Sequence, residues 1–161
     1  MRTRPSRSLR AGFTIVELAV VIIVLTTLAT IAVVSTTGYQ EMARDNQRAS
    51  DTSVIANRLE QYYRTNAVAT GATYPDASTN SATFLTIVGD HDAVTAPDQE
   101  DVSLKSATSS GTPNPTVSEY IYQPLNLDGS LCTSVPCVRF KLYYRTEDVD
   151  TLKIIDSMRQ Q

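Results

Sequence analysis

One carboxylate interrupts an otherwise apolar stretch. Glu17 is the only charged residue between Phe13 and Val34, in the run FTIVELAVVIIVLTTLATIAVV. A lone charge in a membrane helix costs roughly 2.5 kcal/mol or more unless it lies near an end or is paired. Its chemistry is therefore that of an ion that needs a partner. Cys132 and Cys137 enclose only Thr-Ser-Val-Pro. The sole histidine, His91, stands between Asp90 and Asp92 and reads as an exposed turn. Asp98-Gln99-Glu100-Asp101 is an acidic cluster without calcium-loop spacing and reads as a solvated loop. A metal site on the two cysteines would need further ligands. There is no activated nucleophile, phosphate-binding glycine loop or redox-type dithiol motif. The expectation is a chain with no catalytic residues, no cofactor and no metal.

The elements that carry these residues follow from hydropathy and charge. The run Phe13 to Val34 has 22 residues, about 33 Å as a helix, enough to cross a bilayer core. A basic leader, Met1 to Gly12, precedes it with Arg2, Arg4, Arg7 and Arg10. An ordinary secretory signal is cut after its apolar segment. Here the small-residue junction, Ala11-Gly12, lies before it. The positive-inside rule keeps the leader in the cytoplasm and sends the C-terminus outside. Both cysteines then lie on the exported side, where disulfides persist, so a Cys132–Cys137 bond is expected. Two reduced thiols are the alternative. Loss of the four leader arginines takes the formal net charge from −3 to −7. An acidic body without an aromatic-basic stripe argues against nucleic acid as a partner of the isolated subunit.

The string Gly12-Phe13-Thr14-Ile15-Val16-Glu17-Leu18 resembles the processing site of type IV pilins and of the related pseudopilins of type II secretion. The resemblance implies that a prepilin peptidase cuts after Gly12 and methylates the new N-terminal Phe13. It also implies that Glu17 supports assembly by meeting the Phe13 amine of an adjacent subunit. Ala43-Arg44-Asp45, Leu59-Glu60-Gln61-Tyr62, Asn66 and Tyr74-Pro75 are similar to stretches common in the same family, so the likeness covers roughly residues 8 to 75. Many members break the helix with a proline near position 34. This chain has Val34-Ser35-Thr36-Thr37-Gly38 there, a soft spot in which Gly38 costs about 1 kcal/mol.

Beyond the apolar run no proline occurs until Pro75, and residues 39–66 are rich in helix formers. A helix from Thr14 to Asn66 is expected, roughly 80 Å long. Ile55, Leu59 and Tyr62 form its apolar stripe. Extended toward the N-terminus, the stripe meets Asp51, Arg48 and Arg44, so packing is expected to begin near Asp51 or Ile55. Asp45–Arg48 and Arg48–Asp51 read as weak solvated pairs or as inter-subunit contacts. Residues 66–116 read as irregular apart from one short helix, Ser81 to Val88, capped by Ser81 and burying Phe84, Leu85 and Val88. Strands are expected at Tyr120–Leu125, Val138–Arg145 and Leu152–Ile155, with turns at Asn126–Gly129 and Glu147–Asp150. In the second strand Val138, Phe140, Leu142 and Tyr144 face inward, and Arg139, Lys141 and Tyr143 face water.

The expected fold class is α+β: a long N-terminal helix packed on a small antiparallel sheet of three or four strands. Residues 1–12 are the cleaved leader, 13–34 the transmembrane and assembly helix, and 35–66 its amphipathic continuation. Residues 67–161 form the exported head, packed on 51–66. The functional expectation is a structural subunit of a type IV pilus-like filament. It starts in the cytoplasmic membrane and ends on the cell surface. Its partners are copies of itself, the prepilin peptidase, the assembly machinery and, beforehand, the lipid bilayer. A minor pilin of binding or competence type and a type II secretion pseudopilin are the alternatives.

Overall fold

The computed structural model describes residues 12–66 and 71–159, with only the backbone described for 32–37. Met1 to Ala11, almost all of the expected leader, lies outside the described residues. The chain divides into two units between Tyr39 and Gln40.

In the first unit, helix α1 (Ile15–Asn66) begins just past Gly12-Phe13-Thr14 and stays helical through Ser35–Gly38. The soft spot therefore does not break it. Its large apolar side chains from Ile15 to Ile31 are all exposed. Thr26, Thr27 and Thr30 donate their hydroxyls to the carbonyls of Ile23, Val24 and Thr26, at 2.9, 2.8 and 2.8 Å. Each polar group is satisfied by its own helix, as an apolar environment requires. Among the described residues no helix is long and apolar enough to cross a membrane. The apolar surface described from Ile15 to Ile31 is about 17 residues, against the ~20 a span typically needs. The last three residues of the expected span, 32–34, are among those whose side chains are not described.

The second unit is α+β. It contains the remainder of α1, helix α2 (Ser81–Val88) and strands β1 (Leu104–Ser106), β2 (Tyr120–Leu125), β3 (Arg139–Arg145) and β4 (Leu152–Asp156). The strands form one sheet in the order β1-β2-β3-β4. β2, β3 and β4 are antiparallel neighbours, with Tyr122 opposite Leu142 and Leu142 opposite Ile155. β1 departs from the expected all-antiparallel sheet. It lies inside the stretch read as irregular, and it pairs parallel to β2 through Leu104–Tyr120 and Ser106–Tyr122. Three residues with a single buried start are too short to carry a readable period. Pro124, in β2, lies beyond the last β1 pair, where its missing N–H leaves no ladder bond unmade.

Helix α2 has the expected bounds, but its cap is Asn80 rather than Ser81. The Asn80 side chain accepts from the Thr83 N–H at 2.9 Å. Gly89 ends the helix at φ 68°, a left-handed position that suits glycine, and its N–H returns to the Leu85 carbonyl. Phe84 and Val88 are buried, while Leu85 is only half-buried.

The core joins Ile55 and Leu59 of α1 to Tyr74, Phe84, Leu104, Tyr120, Tyr122, Phe140 and Leu142. Aromatic edges hold its centre: Tyr74 and Phe140 centroids lie 5.0 Å apart, and those of Phe84 and Tyr122 5.2 Å. Three fully buried tyrosine hydroxyls find acceptors. Tyr74 donates to Glu60 at 2.8 Å, Tyr120 to Asp51 at 3.0 Å and Tyr122 to the Pro75 carbonyl at 2.7 Å. Two of those acceptors are α1 carboxylates, so α1 meets the sheet through polar as well as apolar contacts. Tyr143, expected to face water, is buried and donates to Gln123 at 2.8 Å. Tyr62 of the expected stripe is only half-buried.

Candidate functional site

The N-terminal segment carries the residues singled out for processing and assembly. Gly12, Phe13 and Thr14 precede the helix and are exposed, Phe13 at 90%. A Cβ at Gly12 would meet nothing within 4 Å, so no packing inside the chain demands glycine there. Glu17 has a local partner that the sequence reading did not foresee. Its Oε2 accepts from the Thr14 N–H and from the Thr14 hydroxyl, each at 3.1 Å, while the Thr14 Oγ1 accepts from the Glu17 N–H at 3.1 Å. This is a reciprocal capping box, with the first helical N–H groups otherwise unpaired. The signal was present as Thr-x-x-Glu before an apolar run.

The second cluster lies where α1 meets the β3–β4 turn. Arg48 is 1% exposed. Its guanidinium donates to Asp45 Oδ1 and to the Val117 carbonyl, each at 2.8 Å, and to Glu147 Oε1. Arg44 donates from Nε to both Glu147 oxygens at 3.0 and 2.9 Å, and its Nη2 also reaches Oε2. Asp45 in turn accepts from the Glu147 N–H at 2.9 Å and the Asp148 N–H at 3.1 Å. The Arg44 hydrogen bond, with Arg48 assisting, holds the Glu147 carboxyl down at about 2, against an opposing push from burial. The expected Asp45–Arg48 pair is thus part of an intrachain network. Arg48 and Asp51 make no salt bridge among the described residues, because Asp51 serves Tyr120 instead. Burial is the main cause that raises Asp51 to about 6, opposed by the Tyr120 hydrogen bond. Packing of α1 therefore begins near Arg44, about two turns before Asp51 and three before Ile55, the two expected starts.

Cys132 and Cys137 form the expected disulfide, with Cα atoms 5.7 Å apart, and both are fully buried. The loop they close lies between the Asn126–Gly129 turn and β3, so the β2–β3 connection is longer than a simple hairpin. The Cys132 N–H donates to the Pro124 carbonyl at 2.9 Å. The Ala77 N–H donates to Cys132 at 3.0 Å, and the Tyr74 N–H to Cys137 at 2.9 Å. The bonded loop thereby fastens the segment Tyr74–Ala77 to the sheet. His91 is an exposed turn residue whose carbonyl accepts from the Thr95 hydroxyl at 2.8 Å. Asp98, Gln99, Glu100 and Asp101 are exposed. Among the described residues no three His, Cys, Asp or Glu side chains are grouped to hold a metal ion.

The chain matches no protein-family profile, no curated protein and no solved structure.

Proposed function

We propose that the chain is a structural subunit of a type IV pilus-like filament, cleaved between Gly12 and Phe13 and polymerised through the N-terminal part of α1. The observation that carries the reading is the apolar surface from Phe13 to Ile31, exposed throughout and bearing one carboxylate. So large an apolar surface requires a cover, and lipid and neighbouring copies of the same helix both supply one. The precursor is held in the cytoplasmic membrane by the whole run Phe13 to Val34, with the head exported. On extraction the run is buried again among its neighbours. Glu17 is then costly unless it meets a cation, and cleavage creates one in the Phe13 amine. The network at Arg48 and the disulfide keep the head a rigid unit while this happens.

Intact-mass analysis of the mature protein, with imaging of purified surface filaments, tests the proposal. The expected result is a chain starting at a methylated Phe13 and forming the main filament component. A mature protein that retains Arg2 to Arg10, or is cut after Val34, overturns it.

A further inference from the structure

A second set of charges lies where β3 begins and β4 ends. A cavity of about 310 Å³ opens there, with Arg139, Lys141, Asp156 and Ser157 in its wall and Leu125 and Phe140 as its apolar part. Arg139 and Lys141 alternate along β3 and share a face. The register sets Lys141 opposite Asp156, which brings that carboxylate to the same face.

The polar groups here are short of acceptors. Arg139 is half-buried, yet its side chain makes no hydrogen bond or ion pair among the described residues. Arg44, Arg48 and Arg145 are each bound to carboxylates. Lys141 reaches Asp156 only at 3.7 Å, with both side chains 40% exposed. A half-buried guanidinium with no acceptor in its own chain is open to a ligand that brings acceptor oxygens.

The charge balance narrows the ligand. Two cations against one carboxylate leave a single positive charge, which suits a monoanion. Asp156 repels a second negative charge and offers an acceptor for a hydroxyl. The volume is at the small end of ligand sites, which run from about 300 Å³ upward, and so suits one sugar ring. We propose that this cleft binds a carboxylate carried on a polyhydroxylated ring, the chemistry of a uronic acid sugar. The Arg139 fork takes the carboxylate, Lys141 adds charge, and Asp156 meets a hydroxyl. The proposal does not rest on the filament reading.

The test uses the full chain in a nonionic detergent without a sugar headgroup. Galacturonate, galactose and inorganic phosphate are titrated separately, following the amide resonances of Gly129 and Ser157. Saturable shifts are expected with galacturonate, with galactose and phosphate at least about tenfold weaker, as the loss of one charge-assisted contact implies. Arg139→Gln should weaken galacturonate about tenfold while leaving resonances far from the cleft in place. If that variant does not fold, Lys141→Gln carries the same test. Asp156→Asn should raise phosphate affinity by removing the repulsion. The proposal fails if galacturonate shows no saturation, if galactose or phosphate binds as well, or if the folded Arg139→Gln or Lys141→Gln chain binds unchanged.

Discussion

Arg48 and Glu147 stand 99 positions apart in sequence, and the guanidinium of the first donates directly to the carboxylate of the second. Glu147 also takes the Arg44 fork, and Asp45 accepts the Glu147 N–H. One turn between two strands is thereby tied to one helical face. Truncating Glu147 leaves buried Arg48 with Asp45 alone as counter-ion, a costly way to break such a network.

Glu147→Gln should destabilise the fold at neutral pH by about 2 kcal/mol. This is less than for a fully buried pair, because Asp45 remains and Glu147 keeps some contact with water. The native carboxyl titrates near 2 against an ordinary 4.5. Its stabilisation is therefore complete above the unfolded value and is lost as pH falls from about 4.5 to 2. Denaturant curves of the full chain across that range should show wild type and variant converging at the acid end. Curves that stay parallel count against the network.

Asp51 behaves in the opposite sense. Its native carboxyl titrates near 6 against an ordinary 3.8, mainly because it is buried, at 9% exposure. A raised value stabilises the fold below about 3.8, and that contribution is lost as pH rises through about 6. At neutral pH the fold holds an ionised group in a site that prefers the neutral one. Asp51→Asn keeps an oxygen for the Tyr120 hydroxyl and should stabilise by about 1–2 kcal/mol at pH 7. The gain should disappear near pH 4. A variant less stable than wild type at pH 7 shows that the carboxylate charge is needed.

Cys132→Ser should cost about 2 kcal/mol, the loop-closure value for so short a ring. The loss should fall on the Tyr74–Ala77 segment, since that segment hydrogen-bonds to both cysteine carbonyls. Hydrogen exchange at the Tyr74 and Ala77 amides reads this directly. Faster exchange there, with processing at Gly12 unchanged, is the expected outcome. Uniform loosening of the whole head contradicts it.

Glu17 caps its helix through Thr14, and its proposed pairing with an adjacent Phe13 amine is a separate role that two substitutions divide from the cap. Glu17→Val removes both the cap to Thr14 and the charge, but should insert into the membrane more readily by about 2–3 kcal/mol. Glu17→Gln keeps an acceptor for the Thr14 N–H, as glutamine does in a capping box, but carries no charge. If pairing with the Phe13 amine governs assembly, both variants should be cleaved normally and both should fail to form filaments. If the cap is what matters, Glu17→Gln should assemble like wild type. Counting surface filaments in cells with each variant as the sole copy decides between them.

Much of this chain is legible locally. An apolar run interrupted by one glutamate, a glycine before it, and two cysteines five apart are patterns of neighbours, and neighbours need no fold to be read. The same holds for α2 and for the alternation that marks β3. Arg48 is different. On its own helix it looks like any solvated charge, because the partner that makes its burial tolerable arrives from the β3–β4 turn. Tyr143 is drawn inward by Gln123 on the neighbouring strand, and β1 is a strand only because Tyr120–Tyr122 lies beside it. Lys141 and Asp156 face each other across two strands that no local pattern brings together. Hydropathy and spacing determined α1, α2, β2 to β4 and the disulfide, but not β1. Only the tertiary structure decided which charges are neutralised and which are left open to a ligand, because desolvation and pairing depend on groups distant in sequence.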